Sequence, residues 1–256
     1  MLISNEWPQL LLLVVVGAVA SAINAVAGGG SLISFPVLVG MGVPAVEANA
    51  SNAVSLWPGS LSSAVAFLNQ LDKTRKFIKL LFVPTVAGSL VGALLLVSTS
   101  QKVFGILVPI LILMATVLLL FQPRIKRWVA SKHSHTSVVT GAFLQFLVSV
   151  YGGYFGAGMG ILMLAAFGLF MEGNIHELNA VKTWLGLIIN FAASVMFVIK
   201  GLVWVGPALA LMLGAIIGGY IAARLSQRVE SEKLRHAIVA YGFLMVGWFV
   251  WRAMKG

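Results

Sequence analysis

The residues whose types and spacing could do chemistry are one lysine, a few amides and two glycine clusters. Lys182 stands in Asn179-Ala180-Val181-Lys182-Thr183, behind Tyr154-Phe155-Gly156-Ala157-Gly158-Met159-Gly160. Asn49-Ala50-Ser51-Asn52 stands in the same relation to Ala27-Gly28-Gly29-Gly30-Ser31, with Asn24 just before that cluster. Glycine allows backbone angles closed to other residues and removes side chains that would block a ligand. A helix beginning after such a cluster offers free N–H groups and the positive end of its dipole, which together make an anion site. Amides and hydroxyls would donate hydrogen bonds to ligand oxygens, and Lys182 would supply charge. This is recognition chemistry rather than bond-making. No nucleophile with a nearby base is visible, His133 and His135 lie in a basic stretch, and His176 and His236 have no second ligand. No metal or cofactor is expected, and without cysteine there is no disulfide or thiolate metal site.

The two clusters are copies. A constant shift of 130 positions (157 − 27) carries Ala27, Gly28, Gly30 and Leu32 onto Ala157, Gly158, Gly160 and Leu162 without a gap. It also carries Glu47, Asn49 and Ala50 onto Glu177, Asn179 and Ala180, and matches Val65, Phe67, Gly88, Ala93 and Leu95 with Val195, Phe197, Gly218, Ala223 and Leu225. An ungapped register that includes a Glu and an Asn marks two copies of one unit, and places Lys182 where the first copy has Asn52. The expected division is 1–122 for the first repeat, 123–137 for a basic cytoplasmic link and 138–256 for the second repeat.

These elements must lie in a membrane. Hydrophobic residues make up 60% of the chain and charged residues 9%, with a mean hydropathy of +1.01, too little polar material to clothe a soluble globule. Apolar runs near the roughly 20 residues needed to cross a hydrocarbon core lie at 10–26, 50–68, 77–97, 103–121, 138–155, 180–199, 202–223 and 234–251. Two shorter runs, 32–41 and 161–171, each follow a glycine cluster. The net charge of +10 sits in short stretches between spans, without a basic face to follow a nucleic acid. Leu10 to Val19 followed by Ala20-Ser21-Ala22 is similar to a cleaved signal, but the preceding segment carries Glu6 and no Lys or Arg. The repeat makes it the counterpart of 140–156, a retained first span.

Basic residues orient the spans, because Lys and Arg stay on the cytoplasmic side. The stretches are Lys73, Arg75, Lys76 and Lys79; Arg124, Lys126, Arg127 and Lys132; and Arg224, Arg228, Lys233 and Arg235, the last diluted by Glu230 and Glu232. If all three face the cytoplasm, the short run 161–171 must complete a crossing, and 32–41 with it. Each copy then crosses five times and the copies are inverted. The competing count treats the short runs as re-entrant and gives eight spans in parallel repeats. A run of eleven residues rises only about 17 Å as a helix, so the rest of the crossing is irregular backbone, which has to be buried in protein or line a watery cavity. The expected fold is therefore an all-α polytopic membrane protein of two inverted-topology repeats, each with four long spans and one short helix broken off at its glycines.

Inverted repeats with broken helices pointing their N-termini at a midplane site are the recurring plan of secondary transporters. The expected substrate site lies between the glycine clusters: Asn24, Gly28, Gly29, Gly30, Ser31, Asn49, Ser51 and Asn52 on one side, with Tyr154, Gly156, Gly158, Gly160, Asn179, Lys182 and Thr183 on the other. Plainer roles compete. Glycines also let helices pack closely, a lysine near a span end can snorkel to the headgroups, and Glu47 and Glu177 can be favourable charges at helix starts instead of carboxylates coupling transport to protons. Trp184, Trp204, Trp248 and Trp251 fit interface anchors.

Ala27-Gly28-Gly29-Gly30-Ser31-Leu32-Ile33-Ser34-Phe35-Pro36 resembles the first glycine-rich signature of the TauE/SafE sulfite exporter family of membrane permeases. Phe155-Gly156-Ala157-Gly158-Met159-Gly160 is similar to its second, and Asn49-Ala50-Ser51-Asn52 resembles the segment after the first. The resemblance covers essentially the whole chain. It implies export, or sometimes uptake, of small sulfur anions such as sulfite, sulfonates or sulfoacetate, driven by an ion gradient of protons or sodium. Met159 stands where Gly29 stands in the first copy, and Ala166 replaces the Pro36 counterpart, so the second half of the site is shaped differently. The expectation is thus a bacterial inner-membrane transporter rather than an enzyme, with a small anion and the bilayer as its partners and no nucleic acid. A passive anion channel and a carrier of a non-sulfur organic anion are the alternatives; oligomeric state is not legible.

Overall fold

A computed structural model describes residues 7–26, 29–64, 71–131, 137–171, 175–225 and 231–255, and among them all regular structure is helical. The helices are α1 (Trp7–Val26), α2 (Ser31–Gly40), α3 (Ala45–Ala64), α4 (Leu71–Ser98), α5 (Gln101–Ser131), α6 (Val138–Tyr154), α7 (Met159–Phe170), α8 (Ile175–Ile199), α9 (Val205–Leu225) and α10 (Ser231–Lys255). In lipid a chain has to satisfy its backbone groups internally, which favours helix over every open alternative. Six helices, α1, α4, α5, α8, α9 and α10, are long and apolar enough to cross a membrane. With α2 and α7 the chain breaks off after 10 and 12 residues.

Two pairs of helix starts repeat at the interval of the sequence shift: α3 begins at 45 and α8 at 175 (175 − 45 = 130), α5 at 101 and α10 at 231. Packing repeats as well. The α1–α9 pairing has its counterpart in α6–α4, α3–α9 in α8–α4, and α5–α7 in α10–α2, while α3 packs on α8 and α5 on α10. In the first pairing glycines bring the backbones together. A Cβ at Gly17 would lie 2.1 Å from the Leu211 carbonyl oxygen, at Gly214 1.8 Å from that of Val14, and at Gly218 2.0 Å from that of Ala18. Between α4 and α6, Gly88, Gly92 and Gly153 stand the same way against the carbonyls of Phe146, Val150 and Ser89. Lipid provides no hydrophobic drive between helices, so close van der Waals contact at small residues takes its place.

These contacts also set direction. Along α3 and α9, Ser51 meets Trp204, Ser55 meets Ala208, Gly59 meets Ala215 and Ser62 meets Gly219, so the two helices run in parallel. Along α5 and α10 the numbers run oppositely: Thr116 meets Gly242, and Leu119 and Ile238 converge on Gly29. The main core gathers around Phe35, whose ring meets Phe104, Phe155 and Phe249 at centroid distances of 6.4, 5.5 and 5.7 Å. A second apolar cluster, with Met163, Phe167, Leu185 and Ile189, lies between α7 and α8.

The link expected over 123–137 is largely helical. α5 continues to Ser131, carrying Arg124, Lys126 and Arg127 on a helix rather than a loop. The remainder, 132–136, lies outside the described residues, as does Gly28.

Candidate functional site

Both glycine clusters meet the same stretch of α5. A Cβ at Gly29 would lie 3.2 Å from Leu119 Cδ2, and one at Gly158 3.4 Å from Ala115 Cα. Residues 115 and 119 are about one turn apart, near the middle of α5. From there the short helices diverge. α2 heads for the start of α5, where Phe35 meets Phe104 and the connection into α3 ends against Gln101. α7 heads for the end of α5, with Gly168 against Val129. It returns along α6: Met159 Sδ lies over Gly152, and the Phe170 ring over Gly141.

Glycine serves the two starts differently. Gly156 and Gly158 have φ of +79° and +76°, the left-handed region that favours glycine. Gly30 is helical, with φ −58° and ψ −38°; its bare Cα is needed because a Cβ would sit 2.0 Å from the Ala20 carbonyl oxygen. The Gly30 N–H donates to Asn24 Oδ1 at 3.4 Å, so Asn24 takes up a donor at the first start.

Lys182 reaches the second start. Its stem crosses the first turn of α7, with Cδ 3.2 Å from the place of a Cβ on Gly160. Its ammonium group donates to Asn179 Oδ1 at 3.1 Å, while the Thr183 hydroxyl donates to the Asn179 carbonyl at 2.8 Å. The side chain is half-buried and turned inward along α7.

α3 joins the two starts. The Asn49 amide donates to the Tyr154 carbonyl at 2.8 Å, where α6 ends, and Asn52 Oδ1 accepts from the Ser34 hydroxyl of α2 at 2.5 Å. Ser51 Oγ accepts from the Trp204 N–H at 2.9 Å and so fastens α9 to α3. Asn49, Ser51 and Asn52 are all buried. Their amides and hydroxyl are thus turned to protein partners, where the sequence suggested donors to a ligand. Ser31 is half-buried in the first turn of α2. Tyr154 directs its hydroxyl to Thr99 Oγ1 at 3.4 Å, and its ring packs on Phe104. Glu47 lies in the first turn of α3, where Gln101 donates to its carboxylate and accepts from the Val46 N–H. Glu177 holds the same place on α8 and has a partner there.

Sequence reasoning missed four residues here. Gln101 caps α3, Ser34 holds Asn52, and Lys126 and Arg235 lie beyond Lys182 on α5 and α10. The two basic residues were assigned to membrane loops; only their continuation on apolar helices could have singled them out.

The profile of the sulfite exporter TauE/SafE family matches residues 13–249. The chain belongs to this family. Among similar proteins is a probable membrane transporter protein of Haemophilus influenzae, 28% identical over 247 residues that cover 94% of this chain and 96% of the relative. The probable membrane transporter protein YfcA of Escherichia coli is 25% identical over 242 residues, covering 93% and 88%. YunE of Bacillus subtilis, another probable membrane transporter protein, is 23% identical over 254 residues, covering 88% and 92%. No solved structure matches the chain at comparable significance. With six apolar helices of spanning length among the described residues and relatives named as membrane transporters, the chain is a multi-pass integral membrane protein.

Proposed function

We propose that this protein is a secondary transporter that exports a small anion, sulfite or an organosulfonate, binding it where α2 and α7 begin. The observation that carries the reading is the convergence of the two glycine-led helices. They start one turn apart on α5, run to opposite ends, and have Lys182 laid over the first turn of one. Two helix starts present two positive dipole ends to the same region, and Lys182 adds a full charge. Lys182, Thr183, Ser31 and the backbone of Gly29, Gly30 and Gly156 to Gly160 face the anion in this reading. Asn24, Asn49, Ser51, Asn52, Tyr154 and Asn179 brace them. The sulfur chemistry rests on the family's description as sulfite exporters.

Transport would come from one five-helix unit, 1–122, rocking against the other, 138–256, the two being inverted copies. Two features support inversion. The equivalent helices α5 and α10 pack antiparallel. α3 runs parallel to α9, whereas α8, the equivalent of α3, joins α9 through only Lys200 to Trp204. Five residues span at most about 18 Å, too little to return along a helix the length of α9, so α8 runs opposite to α3. A proton or sodium gradient would drive the cycle, with Glu47 and Glu177 placed alike at the starts of α3 and α8 as candidate proton carriers.

The test is uptake of radiolabelled sulfite, taurine, sulfoacetate and acetate into proteoliposomes, with wild type and Lys182→Ala side by side. Saturable uptake of a sulfur anion, lost in a folded Lys182→Ala protein, is expected. Non-saturating flux indifferent to Lys182 would make the protein a channel, and saturable uptake of acetate alone would move it to non-sulfur anions.

A further inference from the structure

Beyond Leu119 and Ile238, the antiparallel α5 and α10 carry Lys126 and Arg235 toward the end of the molecule where α7 finishes. Lys126 lies seven residues past Leu119, about 10 Å along the helix. On α5 it stands between Ala115, set against Gly158 at the start of α7, and Val129, set against Gly168 near its end, while Arg235 is about one turn before Ile238 on α10. With Lys182 against Gly160, three cations from three helices therefore stand at successive levels from the start of α7 toward the aqueous face. The Arg235 side chain is only 12% exposed, and its buried Nε has no hydrogen-bond partner among the described residues. Its guanidinium pairs at 3.5 Å with Glu232, a carboxylate 75% exposed, and such a wet surface pair contributes little. Holding like charges together in partly buried surroundings is costly unless something negative joins them.

We propose that Lys126 and Arg235 form a second anion station, between α5 and α10, which holds an oxyanion on its way between the cytoplasm and the site at Lys182. The planar guanidinium presents paired N–H donors that match two oxygens of one group, and Lys126 adds a point charge. A sulfite or sulfonate group offers such oxygens, and the station takes that class. The inference rests on the transporter reading above.

The experiment measures saturable sulfite transport in proteoliposomes with substrate presented from one face at a time. Folding of each variant is checked by gel filtration and thermal midpoint. Lys126→Gln and Arg235→Gln should each raise the half-saturating concentration about tenfold from the face nearest α5's end, leaving the opposite face near wild type. Arg235→Lys keeps the charge without the fork and should fall between. Lys79→Gln removes an exposed charge near the start of α4 at that same end and should change nothing, as expected of a local site rather than a diffuse field. If Lys126→Gln and Arg235→Gln match wild type from both faces while Lys182→Ala abolishes saturable transport, the station is wrong and the inner site stands. Equal increases from both faces would also overturn it, merging these residues into one site. Absence of saturable transport in wild type would remove the transporter reading itself.

Discussion

At the residue scale, the glycines separate by what a methyl group would meet. Gly30→Ala drives a Cβ against the Ala20 carbonyl oxygen, 2.0 Å away, and a backbone atom cannot step aside. The variant should lose folded protein, seen as a collapse of the monodisperse gel-filtration peak. Gly160→Ala meets only the flexible Lys182 stem at 3.2 Å. It should fold normally and weaken sulfite transport by shifting the ammonium group, a difference read as a raised half-saturating concentration at unchanged thermal midpoint. Gly158→Ala forces a left-handed angle on a residue with a Cβ, a cost of about 1–2 kcal/mol, and should lie between the two in stability. Met159, which breaks the glycine pattern of the first copy, is accommodated because Gly152 and Gly186 leave room for its Sδ and Cε. The sequence showed that this position differs but could not show where the thioether goes, since that space is made by two other helices.

At the element scale, α3 is the piece with the most polar buried face. Its 20 residues include Asn49, Ser51, Asn52 and Ser55, all turned into the protein, and that polarity keeps it out of the helices apolar enough to be read as spans. Asn49→Ala removes the donor to the Tyr154 carbonyl and with it the tie between α3 and the start of the second turn. Interhelical hydrogen bonds in membranes contribute about 0.5–2 kcal/mol, so a drop in thermal midpoint of a few degrees is expected, together with reduced transport. A midpoint lowered without any change in transport would make Asn49 a packing residue only. The starts of α3 with α8 and of α5 with α10 follow the ungapped shift of 130 read from the sequence. The roles of Asn49 and Asn52 were not legible there. Their partners, Tyr154 and Ser34, are 105 and 18 residues away, and a side-chain type tells that a donor exists without telling whether protein or ligand receives it. The basic stretch at 124–127 misled for a related reason: charge suggests a loop, yet the helix of α5 has no break before Ser131.

At the scale of the whole molecule, the order of the helices alone does not decide between inverted and parallel copies, since that depended on whether the short runs cross. The packing bears on this directly. Because α7 lies back along α6, with Phe170 against Gly141 and Met159 against Gly152, the pair returns the chain to the end where α6 began. If α1 and α2 of the first unit fold back in the same way, its three remaining helices leave it at the other end, whether the pair is counted as two crossings or none. The odd count would then invert the second unit. The chain contains no cysteine, so single cysteines can report this without a background. Lys102 near the start of α5 and Glu232 near the start of α10 are equivalent under the shift (232 − 102 = 130), and both are exposed. In inverted repeats they face opposite sides of the membrane. Lys102→Cys should then react with a membrane-impermeant maleimide from the periplasmic face and Glu232→Cys only after the cytoplasmic face is opened. Labelling of both from one face would reject inversion, and alternating access would then need a different moving part from the two five-helix units.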